Sequence, residues 1–224
     1  MAKKTVFVGL SGGVDSAVSA LLLKQKGYKV VGVFIQTWHP DFIACNEEEE
    51  RRDAMRVAAH LDIPFLTLDL SMEYKRDVAH YMIEEYRNGR TPNPDVLCNS
   101  HIKFGGFLNY ALSRGADFVA TGHYAQRKDD FLVRAVDSTK DQVYFLWQLT
   151  QKQLEKIIFP IGALKKTEVR KIAKKYKLPI SDKKDSQGIC FLGDIDLKDF
   201  LQHYIETKKG EVLNEMGEVV GEHD

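Results

Sequence analysis

The first side chains in this sequence that could do chemistry belong to a glycine- and serine-rich loop, Gly9-Leu10-Ser11-Gly12-Gly13-Val14-Asp15-Ser16. The loop lies between an apolar run and a stretch with the spacing of an amphipathic helix. A strand, a glycine-rich turn and a helix N-terminus together present main-chain N–H groups to a phosphate. Ser11 and Ser16 add hydroxyl donors, and Asp15 is suited to hold Mg²⁺ or to orient the turn. Because the Gly-Lys-Ser/Thr ending of a Walker loop is missing, the pattern predicts a nucleotide or pyrophosphate site of another kind.

A second candidate is the run Asn93-Pro94-Asp95-Val96-Leu97-Cys98-Asn99. Pro92 and Pro94 restrict the backbone and predict a stiff loop, which is followed by a helix from about His101 to Ser113. A thiol just ahead of a helix N-terminus has a lowered pKa and reacts as a nucleophile. A capped turn with a buried cysteine fits the same residues equally well, so the run alone leaves both interpretations open.

Cys190 stands in Gly188-Ile189-Cys190-Phe191, and its apolar neighbours by themselves favour a buried structural cysteine. A pair of thiols beside a nucleotide-binding loop has another use, because one thiol can carry sulfur as a persulfide and the other can attack it, leaving a disulfide. The chain has three cysteines, and the third, Cys45, is interpreted as structural. Their number and spacing do not form a disulfide framework, and the spacing gives no support to an iron–sulfur or zinc site made by all three.

The composition indicates a globular protein but names no partner. The 224 residues include 32 basic and 32 acidic side chains, so the net charge is zero, and 44% are hydrophobic. Charge is nevertheless uneven, because residues 151–185 contain eleven Lys and Arg against four Asp and Glu. No apolar stretch reaches the length of a membrane span and no signal-peptide core follows Met1, so a cytoplasmic location without membrane contact is expected.

The elements that must position these residues alternate between strands and helices. Apolar runs at 5–8, 30–35, 64–68, 117–121 and 159–161 predict five strands, and helical patterns at 47–60, 71–88, 101–113 and 138–147 stand between or beside them. This alternation predicts an α/β fold with an open, mainly parallel sheet and helices on both faces. A basic helix at 167–176 is expected to direct Arg170, Lys171, Lys174 and Lys175 outward.

The motifs carry a family resemblance. SGGVDS resembles the pyrophosphate loop of the ATP pyrophosphatases, which cleave ATP between the α and β phosphates. The chain as a whole is similar to one branch of that superfamily, the tRNA-specific 2-thiouridylases, which thiolate the wobble uridine of certain tRNAs. The similarity covers nearly the whole chain and is carried by GLSGGVDS, GRTPNPDVLCN, IKF, ATGHYA, DSTKDQVYFL, FPIGALKKTEVRKIA and KKDSQGICFLG. It implies an adenine nucleotide alpha hydrolase-like fold.

The resemblance also assigns roles to residues. Gly9 to Ser16 would bind the ATP phosphates, while Ile35 and Gly122 lie against the nucleotide. Cys98 corresponds to the family nucleophile, and Cys190 corresponds to the cysteine that carries the persulfide. Two groups of residues are implied to contact tRNA. Asn93, Pro94 and Asp95 would contact the target base, and Asp95 would also do acid–base work. Lys140, Asp141 and Gln142 match a second tRNA-contacting stretch.

The implied reaction is an ATP-dependent 2-thiolation of the wobble uridine in two stages. ATP with Mg²⁺ adenylates the C2 oxygen of uracil and pyrophosphate leaves, and sulfur from a cysteine persulfide then replaces the oxygen. The implied partners are tRNA and a persulfide sulfur-donor protein, either a desulfurase or a sulfur relay. The protein is expected to be a monomer.

The resemblance further implies a division of the chain. Residues 1–163 form the ATP pyrophosphatase domain, 164–208 a helical basic extension that carries Cys190, and 209–224 the start of a truncated central β domain. The family continues beyond residue 224 into central and C-terminal β domains, which also contact tRNA. The chain also departs from the family pattern at Ile35, where the family often has methionine. Isoleucine keeps the apolar character of that position.

Two other functions fit the loop. Another ATP pyrophosphatase, amidating or ligating a small molecule, would not require Cys98 or Cys190. A non-catalytic nucleotide- or RNA-binding fragment would bind ATP and tRNA without releasing pyrophosphate. Pyrophosphate release with tRNA, compared with release with small amine acceptors, distinguishes all three.

Overall fold

A five-stranded parallel sheet forms the centre of the structure, a computed structural model that describes residues 3–43, 46–185, 188, 190–191, 196–206 and 209–223. The strands stand in the order β3-β2-β1-β4-β7. Their bounds are Thr5–Gly9 (β1), Lys29–Gln36 (β2), Phe65–Asp69 (β3), Phe118–Ala120 (β4) and Ile157–Ile158 (β7). All four pairings between them are parallel, so the predicted α/β sheet is confirmed.

Helices cover both faces of this sheet, as predicted. One face packs against α1 (Val14–Gln25), α2 (Glu47–His60) and α8 (Lys166–Lys175). The other packs against α3 (Ser71–Tyr74), α4 (His80–Arg87), α5 (Pro94–Leu97), α6 (Phe107–Ser113) and α9 (Leu197–Gln202). Buried Val169 and Ala173 place α8 in the same apolar core as α1, so the first part of the basic extension shares the core of the sheet. The division of the chain near residue 163 stays a prediction.

Two of the helical stretches contain wide π-helical turns. Between α3 and α4 the chain forms π1 (Lys75–Ala79), and between α5 and α6 it forms π2 (Cys98–Gly106). The predicted helix at 71–88 is therefore present over nearly its whole length, but a π-helical turn interrupts its α-helical winding. The predicted start near His101 is wrong, because the helix begins at Pro94, whose missing N–H is harmless in a first turn.

Several shorter elements surround this framework. One hairpin is formed by β5 (Gln126–Lys128) and β6 (Phe131–Val133), and a terminal hairpin by β8 (Gly210–Leu213) and β9 (Val219–His223). The helix expected at 138–147 is instead one 3₁₀ turn, Val143–Leu146, because its preceding residues bond to neighbouring loops. α7 (Gln151–Leu154) begins with a capping box of Thr150 and Gln153. The last sheet strand lies two residues before its predicted position.

Among the residues that the structure describes, no helix combines the length and the apolar character that crossing a bilayer requires.

Candidate active site

A cavity of ≈ 700 Å³ opens at the carboxyl ends of β1, β2 and β4. This edge is where open parallel sheets bind their ligands, because neighbouring strands turn into loops there. Gly9, Ile35 and Thr121 mark the three strand ends in the wall. The cavity wall also contains the predicted residues Leu10, Ser11, Gly13, Val14, Asp15, Ser16, Gly122, Asp95, Lys140, Asp141, Gln142 and Cys190. One cavity thus collects most of the residues that the sequence singled out.

The Gly9–Ser16 loop is held at close range by two glycine contacts. Gly12 has φ +72°, and a Cβ on it would stand 2.5 Å from the carbonyl oxygen of Glu50. Gly122 faces the start of α1, where a Cβ would stand 2.7 Å from the main-chain nitrogen of Ser16. Because both neighbours are backbone, only glycine fits at either position. Gly12 braces the loop from behind, and Gly122 closes on its helix end from the cavity side.

Ser16 and Ser11 shape the loop from within. The Ser16 Oγ donates to the carbonyl of Gly13 at 3.0 Å and accepts from the N–H of Ser11 at 3.3 Å. α1 begins immediately after Gly13, so its first N–H groups, which have no partner within the helix, face the cavity mouth. This arrangement fits a phosphate chain, with main-chain donors and the positive end of the helix dipole directed at the same point.

Asp15 orients the turn. Both of its carboxylate oxygens accept from the Lys166 ammonium at 2.8 Å, and the Tyr124 hydroxyl donates to Oδ1 at 2.9 Å. These three bonds hold the carboxylate against α8 and Tyr124. Of the two roles left open for Asp15, the structure therefore shows the one that orients the turn. The described residues contain no group of three or more His, Cys, Asp or Glu side chains that could hold a metal ion.

A cluster of cations faces the loop across the cavity. Asp185 lies at its centre, 2.7 Å from Lys166 and 3.1 Å from Lys140, and it also pairs with Arg170. Burial alone would raise the pKa of Asp185, but hydrogen bonds from Lys166 and Lys140 and the charge of Arg170 lower it to about 2. The expectation that Arg170 points outward is wrong, since it also donates to the carbonyls of Ser181 and Lys183.

The two predicted thiols meet at the other end of the cavity. The sulfurs of Cys98 and Cys190 lie 3.3 Å apart, although the residues are 92 positions apart in sequence. The Asp95 carboxylate accepts from the Cys190 N–H at 2.9 Å, and the Tyr74 hydroxyl donates to the Cys190 carbonyl at 2.8 Å. Both cysteines are free thiols in this structure. Asp95 therefore fixes the backbone of one thiol while standing three residues before the other.

The two thiols differ in their electrostatics. Burial and the hydrogen bond to Cys190 raise the pKa of Cys98 well above its ordinary value. The hydrogen bond from Cys98 and the charge of Lys103 lower the pKa of Cys190 to about 6, against the effect of burial. The expectation that Cys98 lies ahead of a helix N-terminus with a lowered pKa is wrong, because Cys98 lies inside the helix and is fully buried. Of the two thiols, Cys190 is the one whose pKa is lowered.

The residues expected to contact tRNA fall into two groups. Asn93 caps α5 by accepting from the N–H groups of Asp95 and Val96, and Pro94 is the first helical residue. Asp141 accepts from the N–H groups of Ala135 and Val143, while Gln142 accepts from that of Tyr124. These contacts brace the cavity rim, and the expected tRNA contacts stay predictions. Cys45 lies outside the described residues.

Sequence reasoning missed three residues that the structure brings into the site: Lys103, Tyr124 and Lys166. Tyr124 and Lys166 stand in the motifs ATGHYA and FPIGALKKTEVRKIA, but nothing in their local pattern shows that they converge on Asp15. Lys103 stands in the motif IKF, and its position in an expected amphipathic helix gave no signal. Each of the three acts through contacts to residues distant in sequence, which only the folded chain reveals.

Comparison with known proteins gives a consistent result. A family profile described as "tRNA methyl transferase HUP domain" matches residues 4–194. The tRNA-specific 2-thiouridylase MnmA of Christiangramia forsetii is 53% identical over 223 residues, which cover 94% of this chain and 56% of that protein. The corresponding protein of Listeria monocytogenes is 52% identical over 225 residues, covering 98% of this chain and 61% of its own length. This chain thus spans roughly three fifths of the curated relatives that it matches.

Solved structures agree on the fold. The U34-tRNA thiolase NcsA from Methanococcus maripaludis, solved with its [4Fe-4S] cluster, aligns with a TM-score of 0.54 and 19% identity, covering 89% of this chain and 63% of that one. At this identity the similarity shows the fold alone. The profile match and the identity to curated relatives show more than the fold: the chain belongs to the family of tRNA-specific 2-thiouridylases.

Proposed function

We propose that this chain carries the catalytic site for ATP-dependent 2-thiolation of the wobble uridine of tRNA. The observation that carries the proposal is the pair of sulfurs 3.3 Å apart, with Cys190 in the wall of the cavity that also contains the Gly9–Ser16 loop. A ligase acting on a small molecule would need the loop but not the thiol pair. The names of the relatives point to the same reaction.

In the first stage, the loop and the N-terminus of α1 hold the ATP phosphates. The uracil C2 oxygen attacks the α-phosphorus, the bond to the β-phosphate oxygen breaks, and pyrophosphate leaves. Lys140 in the cavity wall and Lys166 on Asp15 of the loop would balance the charge of the departing pyrophosphate, with Arg170 supporting them through Asp185. Ile35 and Gly122 offer an apolar surface for adenine. Mg²⁺ enters this scheme only as the ion that accompanies the phosphates.

In the second stage, the terminal sulfur of a Cys190 persulfide attacks C2, and AMP leaves with the former oxygen. The Cys98 sulfur then attacks the Cys190 sulfur, so that a Cys98–Cys190 disulfide forms and the bond from Cys190 to the transferred sulfur breaks. The transferred sulfur is reduced while the two cysteines are oxidised, which balances the electrons. Asp95, beside both thiols, is placed to move a proton at the base.

The proposal extends to partners and location. The target nucleotide must leave its anticodon stack to reach a cavity of this depth. Asn93, Pro94 and Asp95 would contact the base, and Lys140, Asp141 and Gln142 the adjoining tRNA. Exposed lysines of the basic extension (Lys171, Lys174, Lys175 and Lys177) offer salt-dependent phosphate contacts. A persulfide-donating protein supplies the sulfur, and the protein acts as a monomer in the cytoplasm.

The test compares two products in one reaction containing unmodified tRNA, ATP, Mg²⁺ and a persulfide donor. Cys190→Ser is expected to abolish 2-thiouridine, measured by nucleoside mass spectrometry, while tRNA-dependent pyrophosphate release persists. Ser16→Ala serves as the reciprocal variant, and is expected to reduce both products together. Undiminished 2-thiouridine from Cys190→Ser would contradict the proposal, and so would pyrophosphate release that depends on a small amine acceptor instead of tRNA.

A further inference from the structure

Lys103 is a half-buried cation in the cavity wall that the reaction scheme above does not use. Its side chain lies in the cavity wall beside Asp95, Cys190 and Phe191, with the ammonium 5.6 Å from the centre of the Phe191 ring. Burial alone would lower the pKa of Lys103, but the charges of Cys190 and Cys98 raise it above its ordinary value. A half-buried lysine beside two thiols and a carboxylate keeps its charge because these neighbours favour the ammonium form.

The π-helical turn is what directs Lys103 at the thiols. Lys103 follows Cys98 by five residues within π2 (Cys98–Gly106). In an α-helix, residues five apart point ~140° away from each other. The i→i+5 bonding of a π-helix widens each turn, so that residues 98 and 103 come onto the same side. The irregular winding therefore places a cation and a thiol together where a regular helix would separate them.

The other groups around the thiols do not supply positive charge. Burial and the nearby Lys103 lower the pKa of His123 well below its ordinary value, so this imidazole is neutral. Burial and the nearby thiols raise the pKa of Tyr74, so the phenol is neutral as well. Asp95 contributes a negative charge, which opposes a thiolate. Within the described part of the chain, Lys103 is the cation that acts on both sulfurs.

We propose that Lys103 is the counter-ion of a Cys190 thiolate and that it prepares Cys190, not Cys98, to receive sulfur. The Cys190 thiolate attacks the outer sulfur of a protein persulfide and forms a new S–S bond. The donor's own S–S bond breaks, and its electron pair leaves on the donor cysteine as a thiolate. Nothing is oxidised or reduced overall. Cys98 keeps its proton during this step and donates it toward the Cys190 sulfur, at 3.3 Å.

This proposal rests on the proposed function for its sulfur donor, but its test does not. The full chain is treated with iodoacetamide between pH 4.5 and 10, and alkylation of each cysteine is followed by peptide mass spectrometry. The measured quantity is the midpoint pH for Cys190, because intrinsic nucleophilicity changes together with pKa and would distort a comparison of rates. The assay contains no RNA, ATP or sulfur donor, so its failure and a failure of thiolation are distinguishable.

In the unaltered chain, Cys190 is expected to titrate near pH 6 and Cys98 well above the ordinary range of thiols. Lys103→Met is expected to raise the Cys190 midpoint by at least about 1 unit, toward the ordinary thiol range near 8.5, while the hydrogen bond from Cys98 continues to lower it. Lys103→Arg keeps the charge and is expected to keep the midpoint within about half a unit. Lys171→Met, on the exposed face of α8, is the matched control and should change nothing.

Circular dichroism and thermal unfolding establish that each variant is folded. An unchanged Cys190 midpoint in a folded Lys103→Met variant would overturn the proposal. If Lys103→Met does not fold, the unaltered chain alone decides. A Cys190 midpoint at 8.5 or above excludes a thiolate held by Lys103, and so does a Cys98 midpoint below that of Cys190.

Discussion

At one end of the cavity, the eight consecutive residues from Gly9 to Ser16 form a loop whose main-chain N–H groups and helix N-terminus fit a phosphate. At the other end are two side chains 92 positions apart, Cys98 and Cys190, with Lys103 beside them. The loop end has an open rim of ion pairs that water can reach, whereas Cys98 is fully buried. A loop of main-chain donors fits any polyphosphate, whereas under the proposed function the thiol pair restricts what the activated oxygen is exchanged for.

This contrast indicates which end of the cavity can change without altering the other. The loop end depends on backbone shape, so few side chains there are irreplaceable except where a Cβ would collide. The thiol end depends on the relative placement of α5, π2 and the segment that carries Cys190. Three variants or treatments test whether the two ends are separable, and the readouts are product formation, cysteine alkylation or the free energy of unfolding.

The largest effect is expected from joining the thiols. Treatment with diamide should form a Cys98–Cys190 disulfide within one chain, because the two sulfurs are already in contact at 3.3 Å. Closing a loop of this length should raise the free energy of unfolding by about 4 kcal/mol, as measured by urea denaturation. 2-Thiouridine formation should stop until a reductant is added, while pyrophosphate release continues.

Cys98→Ser is the control for this treatment, and peptide mapping without reduction identifies the cross-link. Disulfides between two chains, or a cross-link that also stops pyrophosphate release, would contradict the separation of the two ends.

A smaller effect is expected from Gly122→Ala at the loop end. The new methyl group would stand 2.7 Å from the Ser16 nitrogen and must push the start of α1 away. A displacement of this size should lower pyrophosphate release by roughly 10²-fold. The Cys190 alkylation midpoint should not move. Gly221→Ala is the matched control, because its Cβ would meet only the Cβ of Val212 at 4.0 Å. An equal loss of pyrophosphate release in Gly221→Ala would contradict a collision at Ser16 as the cause.

The smallest effect concerns the charge cluster between the two ends. The pKa of Asp185 is lowered from 3.8 to about 2, so the folded state favours its charged form. That stability is present above pH 4 and is lost as the pH falls toward 2. Asp185→Asn should therefore lower the free energy of unfolding at neutral pH by roughly 2 kcal/mol and flatten its decline between pH 4 and 2.

Urea titrations across that pH range measure both quantities. Asp182→Asn, on an exposed pair with Lys174, is the control and should have no measurable effect. A decline between pH 4 and 2 that is equally steep in Asp185→Asn would assign the acid sensitivity to other carboxylates.

The fold and the loop end could be predicted from the sequence because both depend on local pattern. Apolar runs of strand length and the order of helices determined the sheet, and the glycines with Ser11 and Ser16 determined the loop. The start of α5 was missed, although Asn93 before Pro94 is a typical helix start. Two nearby prolines were interpreted as a stiff loop instead.

The inward-facing side chains could not be predicted, because the residues that they bind are distant in sequence. Lys166 and Arg170 stand in a helix whose charge suggested a solvent-exposed surface, yet both turn toward Asp185. Whether a lysine in an amphipathic helix faces water or an anion depends on what the fold brings opposite. For Lys103 the uncertainty was greater, since no residue pattern indicated the wide turn that changes its direction.

That wide turn has a consequence for how the family can vary in length. Removing one residue between Cys98 and Lys103 would allow regular i→i+4 bonding, and the lysine would then follow the thiol by four residues, which in an α-helix also share one side. Leu70 packs so close to Gly106 that a Cβ there would stand 2.9 Å from its side chain, so the far end of π2 must keep its present position. The thiol and the lysine can therefore stay together with five residues of separation in a wide turn or with four in a regular one, and a one-residue change in length here alters the winding but not the pairing.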